Sequence, residues 1–147
     1  NLWIDLFPNE VKKIISKVDL FMLNDEEARQ LMNKENLNEI ANDLLEMGPK
    51  IVVIKKGGEG SLLAYENKKI NVSVVPNTPI YDPTGAGDSF AGGMLGYIAI
   101  NGINNPENAV IHGTAVASFT VSGFGLENLH RLDQNTLNSK IQQIKFK

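Results

Sequence analysis

The sequence has no cysteine. That excludes a disulfide scaffold and any metal site held by thiolates, and it fits a reducing, cytoplasmic setting. Histidine is nearly as scarce: His112 and His130 lie far apart, without the close His–His or His–Glu spacing of a zinc site. No apolar run approaches the ~18 residues of a membrane span, and no secretory leader is visible. Positive charge is not in excess, since 14 Lys and Arg face 17 Asp and Glu for a net charge of −3. The basic footprint of a nucleic-acid binder is therefore missing. What is present is an ordinary globular composition, 42% hydrophobic and 21% charged over 147 residues, which suits one domain with a real core. The first residues, NLWIDLF, are apolar and lack an initiating Met, so the chain reads as a fragment of a longer protein.

Apolar spacing predicts a helix from Pro8 carrying Val11, Ile14, Ile15 and Val18, then a short strand at 18–23 and a helix over NDEEARQLM. A further helix from about Leu37 to Met47 ends at Gly48-Pro49. The run Ile51–Ile54 has the continuous apolar character of a strand covered on both faces, and 61–75 reads as a hairpin turning at Glu66–Lys69. Beyond a short strand IYD, helices are expected over Ala91, Met94, Leu95 and Ile98, then from Asn105-Pro106 to about Val121, and last over Leu137, Ile141 and Ile144. Trp3, Phe21, Phe90 and the methionines read as core. Strands alternating with helices predict an α/β fold, a mostly parallel sheet with helices on both faces. Ligands of such sheets bind beyond the carboxyl ends of the strands, which directs attention to 23–27, 55–60 and 82–88.

The densest of these stretches is IYDPTGAGDSFAGG, residues 80–93. Gly85, Ala86 and Gly87 allow a tight turn whose N–H groups converge at a helix N-terminus, a place that favours anions. Asp88 beside them is either a carboxylate capping the helix dipole or a general base that takes a proton from an attacking hydroxyl. The P-loop pattern is absent from the chain, and a dinucleotide fingerprint fails because position 90 is Phe90. Gly92 and Gly93 are expected to serve close helix packing. Upstream, Asn24 and Glu27 have the spacing of a capping box. Lys55 and Lys56 precede a glycine pair, Gly57 and Gly60, and are either solvated or near an anion. Ala117, Ser118, Gly123 and Gly125 are small residues that suit either tight helix packing or close approach of a flat ring.

The string DPTGAGDSFAGG closely resembles the C-terminal signature of the ribokinase-like sugar kinases, the PfkB family of carbohydrate kinases. The resemblance implies an anion hole at Gly85–Asp88 with Asp88 as catalytic base. Asn24 and Glu27 resemble the family's Asn-x-x-Glu motif, which implies that they arrange Mg2+ through its waters. KKGGEGSLL resembles the nucleotide segment, with Gly57 and Gly60 matching its glycines and Lys55 and Lys56 replacing the usual Thr and aliphatic residue. HGTAVASFTVSGFG resembles the adenine-side wall, which implies nucleotide contacts at Ala117, Ser118, Gly123 and Gly125. Asp82 and Thr84 are the implied ligands of a monovalent cation such as K+, and Pro83 stands where many members carry Thr. Because the likeness runs from NLWI to about Leu129, residues 1–147 are expected to be the C-terminal, nucleotide-binding portion of such a kinase.

The expected activity is phosphoryl transfer from Mg·ATP to a sugar hydroxyl. Phosphorylation of a nucleoside is the near alternative, and a non-catalytic adenine-nucleotide-binding module is the distant one. Sugar and ATP are the expected partners, with no nucleic acid or membrane, and a homodimer of the full-length protein is compatible with the family. Little activity is expected of this fragment alone.

Overall fold

A computed structural model describes residues 2–146. They cluster into two compact units, one ending at Asn71 and the other beginning at Val72.

In the first unit, helices α1 (Leu2–Leu6) and α2 (Pro8–Ile15) lead into strand β1 (Leu20–Asn24). Pro8 holds the first helical position, where its missing N–H removes no bond. Helices α3 (Asp25–Met32) and α4 (Leu37–Glu46) follow, then strands β2 (Ile51–Lys55), β3 (Ser61–Tyr65) and β4 (Lys68–Val72). The sheet runs in the order β1-β2-β3-β4. The α/β architecture stands, and the sheet is mixed: β1 pairs β2 in parallel, whereas β2 pairs β3 antiparallel. A two-residue turn at Glu66 and Asn67 links β3 to β4.

Four successive β2 residues, Ile51 to Ile54, are buried, so both faces of that strand are covered, as its unbroken apolar run predicts. Alternate strand residues Leu23, Val52, Ile54 and Leu62 pack with Ile40 and Leu44 of α4 in one core cluster. Full burial of each such side chain is worth ~1.5–3 kcal/mol. Trp3 is not core: it is 65% exposed and stacks obliquely on Phe7. Ile14 is likewise exposed, leaving Ile15 as the buried residue of α2.

The second unit is helical: α5 (Ala86–Asn101), α6 (Pro106–Val121), α7 (Glu127–His130) and α8 (Gln134–Ile141). Asn105 caps α6 by accepting from the Asn108 N–H, with Pro106 at the first position. Helices α5 and α6 approach closely at two glycines. A Cβ on Gly93 would lie 2.8 Å from a Val116 methyl, and one on Gly113 would lie 2.6 Å from the Phe90 carbonyl oxygen. Gly92 differs, because nothing lies within 4 Å of its notional Cβ, so the packing expectation holds for Gly93 and falls for Gly92. The buried stripe of α5 centres on Phe90 and Met94, while Leu95 is half exposed.

Two further expectations are corrected. IYD is not a strand; Ile80 and Tyr81 are exposed, and the segment is irregular backbone held by a single carbonyl described below. The chain also continues past α8 into an isolated bridge between Phe146 and Val72, with the buried Ile144 before it. No described helix is long and apolar enough to cross a membrane.

Candidate active site

In the second unit the glycine-rich loop meets the start of α5. Gly85 is the residue before the helix, with φ 77° and ψ 0°, a left-handed conformation that glycine adopts without steric cost. Ala86 donates to the Pro83 carbonyl, and Ser89 closes the first helical turn on the Gly85 carbonyl at 2.9 Å. The amides of Gly87 and Asp88 lie in that first turn, where helix geometry provides no intrahelical acceptor. Asp88 occupies the third helical position and is exposed. One turn of chain thus presents outward N–H groups at the positive end of a sixteen-residue helix with a solvent-facing carboxylate among them.

The loop before this turn is fastened by the end of α6. The Val121 carbonyl accepts from the Tyr81 N–H at 2.8 Å and from the Asp82 N–H at 3.4 Å. The Thr120 hydroxyl donates to the Ser89 hydroxyl at 2.6 Å, tying the last turn of α6 to the first turn of α5. Asp82 accepts from the Thr84 N–H at 2.9 Å. That N–H, and after it the Thr84 hydroxyl, hold the Asp82 carboxyl below the usual aspartate range. Asp82 and Thr84 are therefore brought together, and the Gly123–Gly125 segment leaves α6 beside the same fastening, with Phe124 packed 6.4 Å from the Tyr81 ring. Gly125 has φ 55° and open space at its Cα. Ala117 is half buried; Ser118 is buried and donates its hydroxyl to the Ala115 carbonyl, so its proton is committed within the helix.

In the first unit, the parallel pair brings Asn24 and Lys55 side by side at the carboxyl ends of β1 and β2. Asn24 and Glu27 form the full capping box: Asn24 Oδ1 accepts from the Glu27 N–H at 2.7 Å, and Glu27 Oε2 accepts from the Asn24 N–H at 3.0 Å. Asp25 in the same turn pairs with Arg29, whose hydrogen bond holds its carboxyl below the ordinary range. Lys56 donates to Asn71 Oδ1 at 2.8 Å and is turned toward β4. Gly57 and Gly60 bracket a single 3-10 turn with φ 55° and 90°, so both glycines that the motif requires occupy backbone regions other residues avoid.

Set beside known proteins, residues 1–131 match the model of the pfkB family carbohydrate kinases. The chain belongs to the pfkB family. A cytidine kinase of Thermococcus kodakarensis is 38% identical over 87 residues, covering 58% of this chain and 31% of that protein. A nucleoside kinase of Methanocaldococcus jannaschii is 32% identical over 115 residues, covering 78% of this chain and 36% of that protein. The fold matches a Vibrio cholerae fructokinase, solved with fructose, ADP and calcium, at a TM-score of 0.82 and 22% identity, over 95% of this chain and 46% of that one. This pfkB-family chain spans about a third of the length of these curated relatives, and its fold is ribokinase-like.

Three features beside these stretches follow from no sequence motif. The Val121 carbonyl and the Thr120–Ser89 bond depend on residues distant in sequence, and Ser61, at the start of β3, carries no signal beyond its place after Gly60. Among the described residues no three His, Asp or Glu side chains converge as a direct metal cage. Asn24 and Glu27 do fit Mg2+ held through water: hard oxygen donors fixed by mutual hydrogen bonds at a strand end.

Proposed function

We propose that this chain supplies the phosphate-handling part of a kinase that transfers the terminal phosphoryl group of ATP to a sugar hydroxyl. The observation that carries the reading is the first turn of α5, where Gly85 in the left-handed conformation exposes the amides of Gly87 and Asp88 beside the Asp88 carboxylate. Oriented amides stabilise charge that builds on the transferring group, and the carboxylate beside them can take the proton of the attacking hydroxyl. The acceptor oxygen forms its bond to the γ-phosphorus as the bond to the leaving ADP oxygen breaks, and the hydroxyl proton moves to Asp88.

Asn24 and Glu27 would hold the waters of Mg2+, which when bound draws charge from the phosphates. Lys55 is the better placed of the two lysines for a phosphate contact, since Lys56 is engaged by Asn71. Gly57 and Gly60 in the first unit, and Ala117, Ser118, Gly123 and Gly125 in the second, are proposed nucleotide contacts, each assigned within its own unit. Asp82 and Thr84, already joined, would take a monovalent cation. The setting proposed is the cytoplasm.

A nucleoside acceptor is the second reading, supported by the cytidine kinase and nucleoside kinase relatives. An ADP-release assay across sugars and nucleosides, beside calorimetric titration with ATP, tests both in the protein at its full natural length. Release with sugars supports the first reading, and release with nucleosides alone supports the second. ATP binding with no release on any acceptor leaves a non-catalytic nucleotide module, and no ATP binding sinks all three.

A further inference from the structure

Ser61 opens β3 at 2% exposure, and its hydroxyl is the one buried side-chain polar atom among the described residues without a hydrogen-bond partner. A buried hydroxyl without a partner bears its whole desolvation penalty, and such groups persist where water, an ion or a ligand completes them. The strand register says what surrounds this one. Lys55 pairs with Ser61 across the antiparallel ladder, and Asn24 pairs with Lys55 across the parallel one. Directly paired residues project from the same face of a sheet. Their strand neighbours Leu23, Ile54 and Leu62 belong to the helix-covered core, so Asn24, Lys55 and Ser61 form a polar row on the opposite face.

Lys55 is half buried, and no described carboxylate pairs with its ammonium. Immediately beyond the row, Gly57 and Gly58 have nothing within 4 Å of their notional Cβ atoms. A cation lacking a counter-charge and a donor lacking an acceptor therefore stand as register neighbours beneath an open turn. One chemistry answers both: an anion rich in acceptor oxygens.

We propose that Lys55 and Ser61 together form one phosphate-binding point, the ammonium supplying charge and the Ser61 hydroxyl donating to an oxygen of the same phosphate. The assignment rests on the nucleotide reading above and adds to it a residue outside the Gly57–Gly60 spacing. The rival account is a buried water that completes Ser61 for structural reasons alone.

Calorimetry on the protein at its full natural length separates them, with Mg·ATP and inorganic tripolyphosphate as two probes. Ser61→Ala is expected to weaken both by about tenfold, the scale of a hydrogen bond to a charged group. Ser61→Cys, which keeps the volume and offers a weak donor, should follow it and guards against a folding defect in the first variant. The double variant with Lys55→Met should lose less than the product of the single losses, because the two groups share one phosphate. Unchanged affinity for both probes in both Ser61 variants overturns the proposal, and so does full independence of Lys55 and Ser61. Ser61-dependent binding of tripolyphosphate without ATP binding keeps this point and removes the nucleotide reading. Tight ATP binding that ignores Ser61 does the reverse.

Discussion

The open turns and the α5–α6 seam use glycine for opposite purposes. At Gly57 in the sheet-bearing unit and Gly85 in the helical one, the residue supplies a left-handed backbone with open or ordinary space around it. At Gly93 and Gly113, between α5 and α6, the backbone is unremarkable and a Cβ would strike a neighbour at 2.8 Å or less. The first kind shapes a turn toward solvent; the second brings two helices together. Only the first kind marks a candidate site, and the distinction is invisible in a count of glycines.

The largest effect is expected where the shaped turn carries its carboxylate. Asp88→Asn should lower turnover ~100- to 10,000-fold, the usual cost of losing a positioned general base, while nucleotide affinity stays within a few-fold. Steady-state kinetics beside calorimetry reads both, and near-normal turnover would remove Asp88 as the base. Next in size is Gly113→Ala, whose methyl meets the fixed Phe90 carbonyl. A loss of ~1–3 kcal/mol in denaturant unfolding is expected from such overpacking, with nucleotide affinity per folded molecule unaltered. Gly57→Ala should act the other way round. Its left-handed φ costs an alanine ~1–2 kcal/mol locally, and the readout is a few-fold weaker ATP titration with little change in the main unfolding midpoint. Equal effects on stability at Gly57 and Gly113 would erase the contrast. The smallest effect is a gain: Gly92→Ala, on an open helix surface, should stabilise by ~0.5–1 kcal/mol in thermal unfolding.

What could be read in advance was local. The Asn24–Glu27 capping box, the Asn105-Pro106 start of α6 and the buried run of β2 follow from spacing and caps within a few residues, and the structure reproduces them. Misreadings arose where the deciding partner is remote. IYD has strand-like residues, yet the Tyr81 and Asp82 N–H groups go to the end of a helix rather than to a ladder. Gly92 and Gly93 are adjacent and identical, and the nearness of Val116 and the His112 carbonyl to Gly93 separates them. The first turn of α5 could be proposed as an anion site because its residues, Gly85–Asp88, are consecutive, whereas Ser61 gains meaning only from the strand that pairs with it.

The Val121 carbonyl that fastens Tyr81 and Asp82 has a consequence for how the chain is made. Its two bonds close a loop of about forty residues, so the ordering entropy is spent before either bond forms. During synthesis the glycine turn emerges well ahead of the helix end that fixes it. The Gly85–Asp88 turn is therefore expected to be among the last parts of its unit to set, although its own residues are consecutive.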